Sequence, residues 1–261
     1  MELQVNQEQS CLSAQDADTI IRTAKTYPRN TKQCISDIIT LATIDEETAS
    51  SCIYSKPVAG ANVSGASVRL AEIVFACWGN IRSAQRPVGF SEDGKSIIAE
   101  AMCWDCEKNT FQASRVQKSI LKKDGQRYSQ DMIGTTISAA ASTAFRNAVF
   151  KVIPKVIVDK AYKACVKKVL GKGEVLKKAK DVLQRLEKLG VEKIKILSFF
   201  GVASEEEINE EMIVEMIGAG TAIKVGSLSV NDAFLGERMS LALPVTGQHG
   251  CKADALASVL N

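Results

Sequence analysis

The chain's 261 residues and 46% hydrophobic content suffice for a real core, which favours one large domain or two unequal ones and excludes a wholly disordered protein. No apolar run is long enough to cross a bilayer, and the start, MELQVNQEQS, has neither the basic beginning nor the apolar middle of a signal peptide, so a soluble cytoplasmic protein without a membrane partner is expected. The net charge of +3 conceals an asymmetry: residues 56–172 carry 19 Lys and Arg against nine Asp and Glu, between two acidic ends, which fits a polyanion binder or a solvated basic face.

In chain order, residues 13–24 and 31–44 read as short amphipathic helices broken at Tyr27-Pro28, with Ser13 and Thr31 as cap candidates. Residues 55–65, SKPVAGANVSG, read as a loop ending in a cap at Ser64 or Ser67. SVRLAEIVFACWG follows as a helix that leaves Arg69 and Glu72 off its apolar stripe. Arg82, Ala84 and Arg86 then alternate with Ile81, Ser83 and Gln85 in a strand expected to end at Pro87. Asp93-Gly94 predicts a tight turn, residues 96–106 a second strand, Glu107-Lys108-Asn109 another turn, and residues 111–121 a third strand, with Arg115 and Gln117 facing away from Val116 and Lys118.

After an Asp124-Gly125 turn, residues 131–170 read as one long helix capped by Ser129 or Asp131 and interrupted, or divided in two, at Pro154. Its stripe, Ile133, Ile137, Ala140, Ala141, Ala144, Ala148 and Val152, is mostly alanine, which suits close approach to a sheet. Ser138, Ser142 and Arg146 form an adjacent polar line. Residues 177–190 form an amphipathic helix, shorter helices follow with a capping box at Ser204 and Glu207, and the tail is poorly patterned. The expected fold class is α+β: a three-stranded antiparallel β-meander packed on a long helix, giving a β-β-β-α core over 56–171. An N-terminal helical segment spans 1–55, a small C-terminal helical module 172–234 and a flexible tail 235–261.

Eight cysteines without an export signal read as buried small hydrophobes, including the C-x-x-C of Cys103 and Cys106, which has no second pair and lies far from the lone His249. Gly89 to Ser96 satisfies G-x-x-x-x-G-K-[ST]. A phosphate loop must open a helix, whereas IIAEAMCW follows here as a strand, so a hairpin turn is the better reading. With one histidine, no G-x-S-x-G and scattered carboxylates, binding without a cofactor is expected rather than catalysis.

SVRLAE (67–72) leading to Trp78-Gly79-Asn80, the strand-strand-strand-helix order, AAASTAFRNAVFKVIP (139–154), and LSFFGV with TAIKVGSLSVNDAF further on together resemble the phage-type single-strand annealing recombinases of the RecT, Redβ and Erf kind, over residues 56–234. The resemblance implies a cytoplasmic, ATP-independent protein that binds single-stranded DNA and the annealed duplex as a homo-oligomeric ring or filament. An exonuclease or the host single-strand-binding protein would be its partner. It implies a basic groove built from the segments of Arg69, Arg82, Arg86, Arg115, Lys118, Arg146 and Lys151, with Lys122, Lys123 and Arg127 on the adjoining loop. Phosphate neutralisation by such residues leaves base edges free to pair. Trp78, Trp104 and Tyr128 are candidates for base stacking, with core placement the competing reading for the tryptophans. Two other classes remain: a P-loop NTPase using Gly89 to Ser96, and an oligomeric scaffold that touches nucleic acid only incidentally.

Overall fold

Capping chemistry sets the first elements of this chain, and the computed structural model describes residues 14–58, 61–122, 124–171 and 175–234. Helix α1 is Ala14–Thr26, α2 Thr31–Ala42 and α3 Glu46–Ser51. Asn30, rather than the expected Thr31, caps α2: its extended backbone sets Oδ1 to accept the Gln33 N–H, and Thr31 becomes the first helical residue. Ser13 and the tail from residue 235 lie outside the described residues.

Residues 55–65, expected as a loop, belong instead to an antiparallel hairpin of β1 Ile53–Val58 and β2 Ala61–Ala66. Their small side chains reflect packing rather than a turn. Ser55 is buried, and a Cβ added to Gly218 of the later helix α9, Glu210–Lys224, would meet the Ser55 amide nitrogen at 2.5 Å. Ser67 then caps α4, Val68–Trp78, accepting from the Arg69 and Leu70 amides.

The meander is β3 Ile81–Phe90, β4 Ser96–Asp105 and β5 Thr110–Ser119, antiparallel in that order. Rather than ending at Pro87, β3 runs on to Phe90. It is an edge strand, where a missing N–H is tolerated, and its register shifts between Pro87 and Gly89. Gly89 to Ser96 closes the β3–β4 hairpin, with Asp93 Oδ1 accepting from the Ser91 hydroxyl and the Lys95 amide, and the chain leaves it as strand β4.

On β4, Ile97, Ala99, Ala101, Cys103 and Asp105 are buried beneath α5, Gln130–Val152. Ser129 caps α5, and Ala140, Ala144 and Ala148 are fully buried, so the helix backbone lies close to the sheet. At Pro154 the chain breaks into a second helix, α6 Lys155–Leu170. Helices α7 Val175–Lys188, α8 Lys193–Phe200 and α9 follow. The capping box at Ser204 and Glu207 does not form: the turn there is a single 3-10 turn, which carries the Glu207 carboxylate to the Ala203 amide, and Asn209 caps α9.

One buried cluster runs from Ile38 and Leu70 through Ala144 and Ile157 to Leu186 and Ile213. A smaller one joins Ile97, Ala99 and Ile120 to Ile133 and Ala140. The chain between α1 and α2 is tied to the end of β4 by Arg29. Its guanidinium donates to both oxygens of Asp105 and to Glu107, and lies 4.8 Å from the centre of the Trp78 ring. Burial acts against the Asp105 charge, yet the Arg29 hydrogen bonds hold its carboxyl below the ordinary carboxylate range. Cys103 and Cys106 are free and buried; burial pushes the Cys103 thiol up to about 12, where it stays protonated. No helix among the described residues is long and apolar enough to cross a membrane.

Candidate nucleic-acid interface

A cleft of about 1800 Å³ separates the polar side of α5 and β5 from the β1–β2 hairpin, and it extends past the start of α4 to α6, α7 and α9. The helical period of α5 builds one wall: Ser138, Ser142 and Arg146 all line it. The pleat of β5 adds Lys118, and the period-two alternation of β1 adds Tyr54 and Lys56 from the opposite wall, on either side of the buried Ser55.

These cations lack counter-charges. Among the described residues no carboxylate pairs with Lys56, Lys118 or Arg146. Arg146 is positioned instead by its Nε and Nη2 donating to Asn147 Oδ1, at 3.2 and 3.0 Å, with its guanidinium 5.5 Å from the centre of the Tyr54 ring. Burial, and then the charges of Lys56 and Arg146, push the Lys118 ammonium below its ordinary value. Burial does the same to the Arg146 guanidinium. Lys118 and Arg146 are thus half-buried cations that repel one another, with the exposed Lys56 beside them.

Two other cations of the cleft lining are paired with carboxylates. Arg69 is exposed and pairs with Glu72 one helical turn on, while Arg185 pairs with Glu46 at 3.2 Å.

The sheet divides three of the remaining sequence-predicted residues from this cleft. Arg82, Arg86 and Arg115 lie on the opposite face, where Glu100 accepts from Arg115 Nε at 3.1 Å and from Arg86 Nη2 at 3.5 Å. Lys122 and Arg127 belong to the turn before α5, with Arg127 5.0 Å from the centre of the Phe90 ring, and Lys151 donates to the Ala113 carbonyl at 3.3 Å. Lys123 lies outside the described residues. Trp78 is buried and donates to Asp105, Tyr128 packs on the smaller cluster, and Trp104 is half-buried on the outer sheet face. Sequence reasoning did not include Tyr54 and Lys56 in the site; the alternation of Ile53-Tyr54-Ser55-Lys56 was the available signal, masked by the glycines and proline around it.

No protein-family model, curated protein or solved structure matches the chain.

Proposed function

We propose that the cleft holds single-stranded DNA by its phosphates and that the protein, acting as a homo-oligomer, promotes ATP-independent annealing of complementary strands, as the resemblance to phage-type annealing recombinases implies. Lys118 and Arg146, partly desolvated and, like the exposed Lys56 beside them, without a carboxylate partner among the described residues, carry this reading. A phosphate backbone supplies the missing negative charge, and counterions released from it drive binding irrespective of sequence. Contacts made to phosphates leave Watson–Crick edges open, which annealing requires.

The experiment is a salt titration of oligonucleotide affinity. Each of Lys118→Gln and Arg146→Gln is expected to weaken binding uniformly across sequences and to reduce the slope of log K against log salt by about 0.7. An unchanged slope in both variants would remove the cleft from the binding site.

A further inference from the structure

The outer face of the meander, turned away from α5, is arranged in rows by the strand register. Arg82, Trp104 and Phe111 form one row across β3, β4 and β5, and Arg86, Glu100 and Arg115 form another. Between them lie only Ala84, Met102 and Ala113, so the surface is flat and low. Phe111 is 54% exposed. Trp104 donates its Nε1–H to Asn109 Oδ1 at 3.1 Å, which satisfies the indole nitrogen within its own hairpin, and Phe111 is its directly opposed cross-strand neighbour. Glu100 neutralises one of the two arginines beside it, and Arg82 has no carboxylate partner among the described residues.

We propose that this face is a second nucleic-acid contact, separate from the cleft, on which bases of a single strand stack against Trp104 and Phe111 while Arg82 and the Arg86–Glu100–Arg115 cluster take the flanking phosphates. An exposed phenylalanine opposite a half-buried tryptophan on a cationic sheet suits a ligand that is apolar on its base faces and anionic along its backbone. A second copy docked through the same face about a two-fold axis would oppose three arginines with three arginines, against one glutamate on each side, so like charges disfavour that occupant. A strand on this face has its bases engaged, so the face captures a strand while the cleft presents one for pairing.

The chain has two tryptophans, and Trp78 is buried, so emission changes on adding oligothymidylate report on Trp104. Full-length protein is expected to be quenched by oligothymidylate, and Trp104→Phe to lose that response. Phe111→Ala is expected to weaken the affinity read from the quench about ten-fold, and Arg82→Glu, a change at an exposed position, to weaken it as well. Charge reversal in the cleft, Lys118→Glu with Arg146→Glu, leaves the quench in place. Emission unchanged at saturating oligothymidylate, with binding still seen by anisotropy, would overturn the platform and spare the cleft. Self-association that Phe111→Ala abolishes and oligothymidylate does not displace would overturn it in favour of a protein partner. A retained quench, with cleft variants that bind by anisotropy as wild type does, would support the platform and sink the cleft.

Discussion

Lys118 and Arg146 carry two demands that conflict. Partial burial next to one another without a carboxylate costs stability, and the same lack of a partner readies them for an anion. Lys118→Met keeps the length and removes the charge, so it is expected to raise stability by about 1 kcal/mol in urea unfolding while oligonucleotide affinity falls. The pH dependence has a definite sign. Because the Lys118 pKa in the folded state lies below the ordinary lysine value of 10.5, the unfolded chain binds more protons between those two values, and stability rises with pH through that alkaline window. Lys118→Met lacks this rise, and parallel unfolding curves for the two proteins across the window would contradict the assignment. Arg29 presents the opposite case, a buried cation fully supplied with carboxylates. Asp105→Ala leaves it with Glu107 alone and is expected to cost about 3 kcal/mol in thermal unfolding, with Trp78 losing its acceptor at the same time.

Helix α9 packs against both strands of the hairpin wall of the cleft, and its approach to β1 is tightest at Gly218. Gly218 lies against the backbone of Tyr54 and Ser55, and the residues on either side of Ser55, Tyr54 and Lys56, lie in the cleft wall. Gly218→Ala is therefore expected to cost about 1 to 3 kcal/mol and to lower oligonucleotide affinity, because β1 must move. Gly220→Ala, whose added methyl would sit 3.4 Å from a flexible Leu186 terminus, is the matched control and is expected to change both far less. Equal effects of the two would remove β1 from the account. The same contact explains what the sequence concealed. The meander was legible because Asp-Gly turns and two-residue alternation are local signals, and Arg146 was placed beside Ser138 and Ser142 by helical spacing alone. The β1–β2 hairpin owes its small residues to a helix far along the chain, and the Arg29–Asp105 bond joins positions 76 residues apart, so neither leaves a local trace. The split of the arginines between two faces follows from strand register, which sequence parity indicated for Arg115 against Lys118 without saying which face meets the cleft.

The basic middle of the chain thus becomes two surfaces on either side of one thin sheet. On the proposed reading the cations gathered in the cleft would face a strand through its phosphates, while the outer face combines arginines with aromatics. Salt acts on both, since each depends on phosphate neutralisation, but only the cleft leaves base edges free. The decisive measurement is annealing of two complementary labelled oligonucleotides by the full chain, without ATP, at low and moderate salt, alongside Lys118→Glu with Arg146→Glu. The account predicts acceleration by the wild-type protein that fades as salt rises and is lost in the double variant. Acceleration that survives charge reversal in the cleft, or that appears only when ATP is added, would contradict it.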